Sequence, residues 1–227
     1  MKKFYFFICL GFYLQLLNAQ FKTAEQIIEA VGKKYELIDD YIANIEAAVD
    51  MDRVKVPKMN VKIYFRKPDK FHVESKNFAM IPKEGVTLNP AEILKNFNAQ
   101  LIGVVEINSR KVYKLKLNPK VIQKQFVPES YVYIDFEYLY LVKLESSQSE
   151  TRSIDINFQH TFVDNKYYLP EKIILKFENK IPDNLPDNTQ RPNQQRIPRA
   201  GNVTILYKNY QINSGFPDSV FTQKEKP

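Results

Sequence analysis

The chain has 227 residues, with 33 Lys and Arg against 26 Asp and Glu, one cysteine and six glycines. Its basic excess is scattered among acids, as in "KPDK", "PKEG" and "TQKEKP", so the pattern gives no basic face for nucleic acid. A single cysteine excludes an intrachain disulfide and a cysteine metal cluster. So few glycines leave little material for a loop that cradles phosphate or a cofactor.

The opening "MKKFYFFICLGFYLQLLNAQ" carries two lysines, then an apolar run from Phe4 to Leu17, then Asn18-Ala19. The run is shorter than the roughly 20 residues that span a bilayer, and it predicts a signal peptide, residues 1–19, cleaved after Ala19. Cys9 leaves with it. So do Lys2 and Lys3, and 33 − 2 = 31 bases against 26 acids leave the mature chain near +5. Residues 20–227 suffice for one domain with a sizeable core.

Next, "TAEQIIEAVGKKYELIDD" pairs Thr23 with Gln26 as a capping box and spaces Ile27, Ile28, Val31, Tyr35 and Ile38 as an amphipathic helix. In "YIANIEAAVDMDRVKV", Tyr41, Ala43, Ile45, Ala47 and Val49 alternate as one face of a strand, though a helical continuation also fits. "NVKIYFRKPDKFHVES" reads as a hairpin. Met59, Val61, Ile63 and Phe65 face one way, Phe71 and Val73 continue that face, and Pro68 suits the second place of a type I turn. "NPAEILKNF" predicts a short helix, with Asn89 as cap, Pro90 first in the helix, and Ile93, Leu94 and Phe97 on its apolar side.

Short alternating runs follow: "LIGVVEI", "KVYKLKL", "SYVYIDF", "YLYLVKLESS", "RSIDINFQH", "KIILKFEN" and "VTILYKNYQI". Their spacing is that of one antiparallel sheet or partial barrel. Residues 181–201, rich in Pro, Asn, Gln and Asp, read as a flexible loop between the last two strands.

Catalytic chemistry is not legible. His72 and His160 each stand alone within a predicted strand, and no nucleophile elbow, metal-ligand spacing or phosphate loop occurs. Asp39-Asp40 reads as a solvated turn at a helix end rather than a working carboxylate pair. These residues predict no enzyme, no cofactor and no metal. Alternation alone does not separate a filled core from a cavity.

The runs "YFRKPDKFHVES", "YVYIDFEYLYLVKLE" and "FPDSVFT" resemble the periplasmic outer-membrane lipoprotein carrier (LolA-type) family and its wider lipoprotein-sorting-like superfamily. The resemblance covers nearly all of the mature chain. It implies a mainly β fold, a curved antiparallel incomplete barrel (half-barrel) with covering α-helices, whose apolar cavity takes acyl chains. It implies lipid contacts from Ile63, Phe65, Phe71, Val73, Ile93, Leu94, Phe97, Leu115 and Leu117, with Arg66 and Lys67 at the lid and rim. Where the family has a lid-holding arginine before the proline, this chain has Lys67, and an ammonium does not reproduce a guanidinium fork. The implied function is a periplasmic carrier of lipids or lipoprotein acyl chains, in outer-membrane lipoprotein sorting, monomeric and served by membrane-bound donor and acceptor proteins. Extracellular release is the other destination of an exported chain. The alternative on the same fold is a sensor that reads lipid or mislocalised lipoprotein and signals through a protein partner.

Overall fold

The computed structural model describes residues 21–51, 54–55, 58–74, 95–121, 129–149, 152–179 and 200–222. The predicted signal peptide lies outside them, as do residues 89–94 of the predicted second helix and 181–199 of the predicted loop.

Helix α1 (Ala24–Tyr35) starts where the capping box predicts. Gln26 N–H donates to Thr23 Oγ1 at 3.3 Å, and Gln26 Oε1 accepts from Thr23 N–H at 3.4 Å. The strands are β1 (Asp40–Met51), β2 (Val54–Lys55), β3 (Met59–Arg66), β4 (Lys70–Glu74), β5 (Phe97–Ile107), β6 (Arg110–Pro119), β7 (Glu129–Asp135), β8 (Leu141–Ser149), β9 (Arg152–Val163), β10 (Tyr167–Asn179) and β11 (Ala200–Ile212). A four-residue helix, α2 (Ser219–Thr222), follows.

All the strands join one antiparallel sheet in the order β4-β3-β1-β11-β10-β9-β8-β7-β6-β5, with β2 also on β1. β4 and β5 stand at opposite ends of that order and do not pair, so the sheet stays open as a half-barrel. The antiparallel path also gathers one set of connections at a single end of the sheet. There the α1–β1 link and the end of β11 meet the β3–β4, β5–β6, β7–β8 and β9–β10 turns.

Apolar residues collect in two clusters. Ala24, Ile27 and Val31 of α1 pack on Tyr113, Leu115, Leu117, Val132, Ile134 and Leu141. The second cluster holds Tyr41, Ala43, Ile45, Val61, Ile63, Val73, Leu169, Ile173, Ile205 and Tyr207. Phe158 of β9 is packed against both.

Several expectations change at this level. Phe97 opens β5 opposite Pro119 instead of lying on a helix, because its ring packs under α1 with Ala99 and Leu101. Ala200 and Gly201 belong to β11, opposite Glu178 and Phe177, so the strand takes the last two residues of the predicted loop. Gly201 is needed there, since a Cβ would lie 2.5 Å from the Phe177 ring. The Lys67–Pro68 bond is cis, which the expected type I turn does not contain. Tyr138 and Leu139 form the β7–β8 turn instead of starting a strand. Asp135 Oδ1 accepts from the N–H of Glu137 at 2.9 Å and of Tyr138 at 2.7 Å, and Leu139 has φ 53°. Such a side-chain turn competes with the strand ladder.

Candidate functional site

A cavity of about 200 Å³ opens at the end of the sheet where the turns gather. Its walls come from five places in the chain. Tyr35 and Glu36 end α1, Ile38 and Tyr41 follow, and Phe65, Lys67 and Pro68 come from the β3–β4 turn; Leu169 and Pro170 of β10 and Tyr210 of β11 complete it. The walls are mostly aromatic and aliphatic, with Glu36 and Lys67 among them.

Ring contacts brace the wall. Tyr41 stacks on Phe65 at 5.1 Å and meets Tyr210 edge-on at 6.0 Å. The Tyr210 hydroxyl donates to Pro170 O at 2.8 Å. Burial pushes the phenol pKa of Tyr35, Tyr41 and Tyr210 up, so these side chains stay neutral.

Lys67 ties the β3–β4 turn to the cover helix. Its Nζ donates to the carbonyl of Glu36, the C-cap of α1, at 3.1 Å, and forms an ion pair with Asp39. The Lys67 N–H donates to Asp39 O at 2.9 Å. A cation against the unsatisfied carbonyl of a helix C-terminus is favourable, although half-exposed groups of this kind contribute little each.

Asn213 sets where the α1–β1 link lies. Its Oδ1 accepts from Asp39 N–H at 2.7 Å and Asp40 N–H at 3.3 Å, while its Nδ2 donates to Leu37 O at 2.9 Å and the Tyr167 hydroxyl at 3.1 Å. Asp40 is buried and accepts from Gly215 N–H at 3.2 Å. The two adjacent aspartates are therefore no carboxylate pair, and only Asp39 is the solvated turn residue expected, since Asp40 is buried. One holds Lys67 and the other anchors the chain after β11.

The residues singled out in the sequence divide among several places. Phe65 and Lys67 line the cavity. Ile63 and Val73 are a buried cross-strand pair in the cluster behind it, and Phe71, opposite Phe65, is half-buried on that cluster. Leu115 and Leu117 are buried beneath α1 with Phe97 beside them, in the other cluster. Ile93 and Leu94 lie outside the described residues. Arg66 turns away from the cavity: its guanidinium lies 4.5 Å over the Phe216 ring and donates to Asp218 and to Phe216 O. Two of the quoted runs, "YFRKPDK" and "FPDSVFT", thus meet in space.

Sequence reasoning missed Leu169, Pro170 and Tyr210 as wall residues. Pro170 lies at the register shift between β9 and β10, and Tyr210 follows Asn209 at φ 54°. Both depart from simple alternation, and no local signal marks them. Tyr35 and Tyr41 were legible as apolar-face residues but not as neighbours across a cavity. Among the described residues no group of His, Cys, Asp and Glu is placed to hold a metal ion, and no helix is long and apolar enough to cross a membrane.

No family description and no curated protein matches the sequence. Solved structures do match in fold. An outer membrane lipoprotein-sorting protein domain from Vibrio parahaemolyticus superposes with TM-score 0.61 at 12% identity, over 86% of this chain and 94% of that one. A DUF1329 family protein from Desulfovibrio piger gives 0.55 at 11% identity over 87% and 96%. A LolA superfamily protein from Nitrosomonas europaea gives 0.53 at 11% identity over 88% and 98%. The half-barrel is therefore the fold of the LolA-like, lipoprotein-sorting structures, and at these identities the likeness is one of fold.

Proposed function

We propose that this chain is an exported, non-catalytic carrier that shields an acyl chain of a lipoprotein or other lipid in the cavity beside α1. The cavity carries the reading: an apolar, tyrosine-walled space at an open sheet end, bordered by a helix terminus that Lys67 ties to the β3–β4 turn. Each methylene removed from water there contributes roughly 0.8 kcal/mol. The space slightly exceeds the engineered cavities of about 150 Å³ that take a benzene ring, so it suits part of a single chain. Export through residues 1–19, work in the periplasm, and exchange with membrane-bound donor and acceptor proteins belong to the same proposal. So do contacts from half-buried Phe71 and Phe97 and from Ile93 and Leu94 to a ligand that extends beyond this cavity; Ile63, Val73, Leu115 and Leu117 are sealed in the two apolar clusters and meet such a ligand only if those clusters part.

Native mass spectrometry of the mature protein before and after organic extraction tests the reading, together with uptake of a naphthylamine dye. A co-purifying lipid and saturable dye binding that Phe65→Asp weakens in a folded protein support it. A lipid-free protein that takes up no dye overturns it. The latch has its own kinetic signature. Lys67→Leu removes the side-chain ties to the α1 C-cap and to Asp39 in the α1–β1 link, so the bound dye should leave faster while the melting temperature changes little. Unchanged release would reduce Lys67 to a turn residue.

A further inference from the structure

The connections that gather at the cavity's end of the sheet carry exposed apolar side chains. Leu37 is 55% exposed and lies between Glu36 and Ile38, which both line the cavity, so it stands beside the mouth. Tyr138, 40% exposed, sits in the β7–β8 turn, and Phe162, 52% exposed, lies near the end of β9. The two rings meet edge-on at 6.2 Å, and they pack on Tyr168 of β10 at 5.6 Å and 4.6 Å. Lys34, in the last turn of α1, donates from Nζ to Tyr138 O, which sets this aromatic patch against the helix end that borders the cavity. Of the other exposed large apolar residues among those described, Ile102, Val104 and Val105 lie along β5, and Val121 follows β6 at the opposite end of the sheet.

Cations accompany the rings. Arg110, which opens β6, donates to the Tyr140 hydroxyl, and Tyr140 packs on Tyr168 at 4.6 Å. Lys166 of the β9–β10 turn holds its Nζ 4.8 Å over the Tyr167 ring. Lys34, Arg110 and Lys166 thus flank the patch, against Glu137 and Asp164 in the same turns and Glu36 at the mouth. The chain as a whole is basic, with 33 Lys and Arg against 26 Asp and Glu, so its approach to an anionic surface is favourable.

We propose that this end of the half-barrel docks on an anionic phospholipid bilayer, with Leu37, Tyr138 and Phe162 at the boundary of headgroups and acyl chains and Lys34, Arg110 and Lys166 against lipid phosphates. Aromatic rings beside Lys and Arg suit a membrane interface: the ring sinks while the long cationic side chain reaches back to phosphate. The exposed tips come from three separate stretches of chain, and a broad surface meets them together. Docking this way also turns the cavity's mouth toward the phase that holds acyl chains. The inference goes beyond the carrier reading and does not depend on what fills the cavity.

Vesicle flotation of the chain from Gln20 onward, which keeps every described residue, tests the docking. It compares vesicles of phosphatidylcholine with vesicles of equal parts phosphatidylcholine and phosphatidylglycerol, with thermal melting and lipid-free sedimentation alongside. The wild type should float with both, and more strongly with the anionic mixture. Tyr138→Ser combined with Phe162→Ser should lose about tenfold in partitioning onto either vesicle, because two exposed rings no longer leave water. Lys166→Gln should lose about fivefold on the anionic mixture and little on phosphatidylcholine. Val121→Ser, at the opposite end, should lose nothing. A wild type that floats with neither vesicle overturns the assignment, as does a double variant that partitions like the wild type or a Val121→Ser chain that loses as much as the double variant. If the double variant melts lower, Leu37→Ser and Lys166→Gln decide, and wild-type partitioning of both overturns the assignment. Self-association without vesicle binding, abolished in the double variant, would make the patch an interface between copies of this chain instead. Dye uptake without vesicle binding leaves the carrier reading standing and removes this one; vesicle binding without dye uptake does the reverse.

Discussion

Asn213 shows how much one exposed side chain organises. At φ 50° it occupies the left-handed region that asparagine tolerates, and four hydrogen bonds run from its amide to the α1–β1 link and Tyr167. Asn213→Ala loses the bonds and adds a backbone cost of about 1 kcal/mol; Asn213→Gly loses the bonds alone. Because water replaces part of those bonds, the glycine variant should be destabilised by about 1–2 kcal/mol and the alanine variant by about 1 kcal/mol more in urea unfolding. His160 supplies a pH signal. Burial among Tyr140, Phe158 and Tyr168 drives its pKa down from 6.5 to about 3. The unfolded chain therefore binds the proton first, and stability is lost as pH falls from about 6.5 toward 3. Between pH 7 and 4.5 the loss from this one group should reach up to about 3 kcal/mol, and His160→Phe should remove that part of the slope. Neither role is readable locally, because a lone histidine or asparagine in a run of letters does not say what surrounds it.

Among the elements, β4 is a five-residue strand that, among the described residues, pairs with β3 alone and forms an edge. The segment after β11 compensates: Asp218 pairs with Arg66 and, at 3.1 Å, with Lys70, while Phe216 lies under the Arg66 guanidinium and edge-on to Tyr64. Lys70 and then Arg66 hold the Asp218 carboxyl below its usual pKa, so the clasp is present at neutral pH and is lost as the carboxylate protonates in acid. Ending the chain after Gly215 should speed amide hydrogen exchange in β4 at least tenfold and leave β6 and β7 unchanged. Equal protection in both would show that β3 alone holds the edge. At this scale much was legible: the capping box of α1, the face of β1 and the common apolar face of β3 and β4 follow capping and period, although the turn between β3 and β4 is not the expected type I. The β7–β8 turn was not, since Tyr138 and Leu139 look like strand residues until Asp135 captures their backbone.

Over the whole molecule, the two apolar clusters meet through Phe158, half-buried between them. Phe158→Ala should cost about 2–3 kcal/mol, less than a fully buried phenylalanine, and should raise exchange in β1 and β6 together. A change confined to one side would mean that the clusters are separate folding units. By itself the sequence determined the strand series, the first helix, the antiparallel connectivity and the apolar faces, because period, capping and turn residues act over a few neighbours. Only the tertiary structure decided which of those apolar residues line a space and which fill one. Phe65 and Ile63 share a face two residues apart, yet one borders the cavity and the other is sealed in the core. The difference comes from what the sheet's curvature brings opposite them: Tyr41, Tyr210 and the end of α1, contributed by distant stretches of chain that no local pattern ties together.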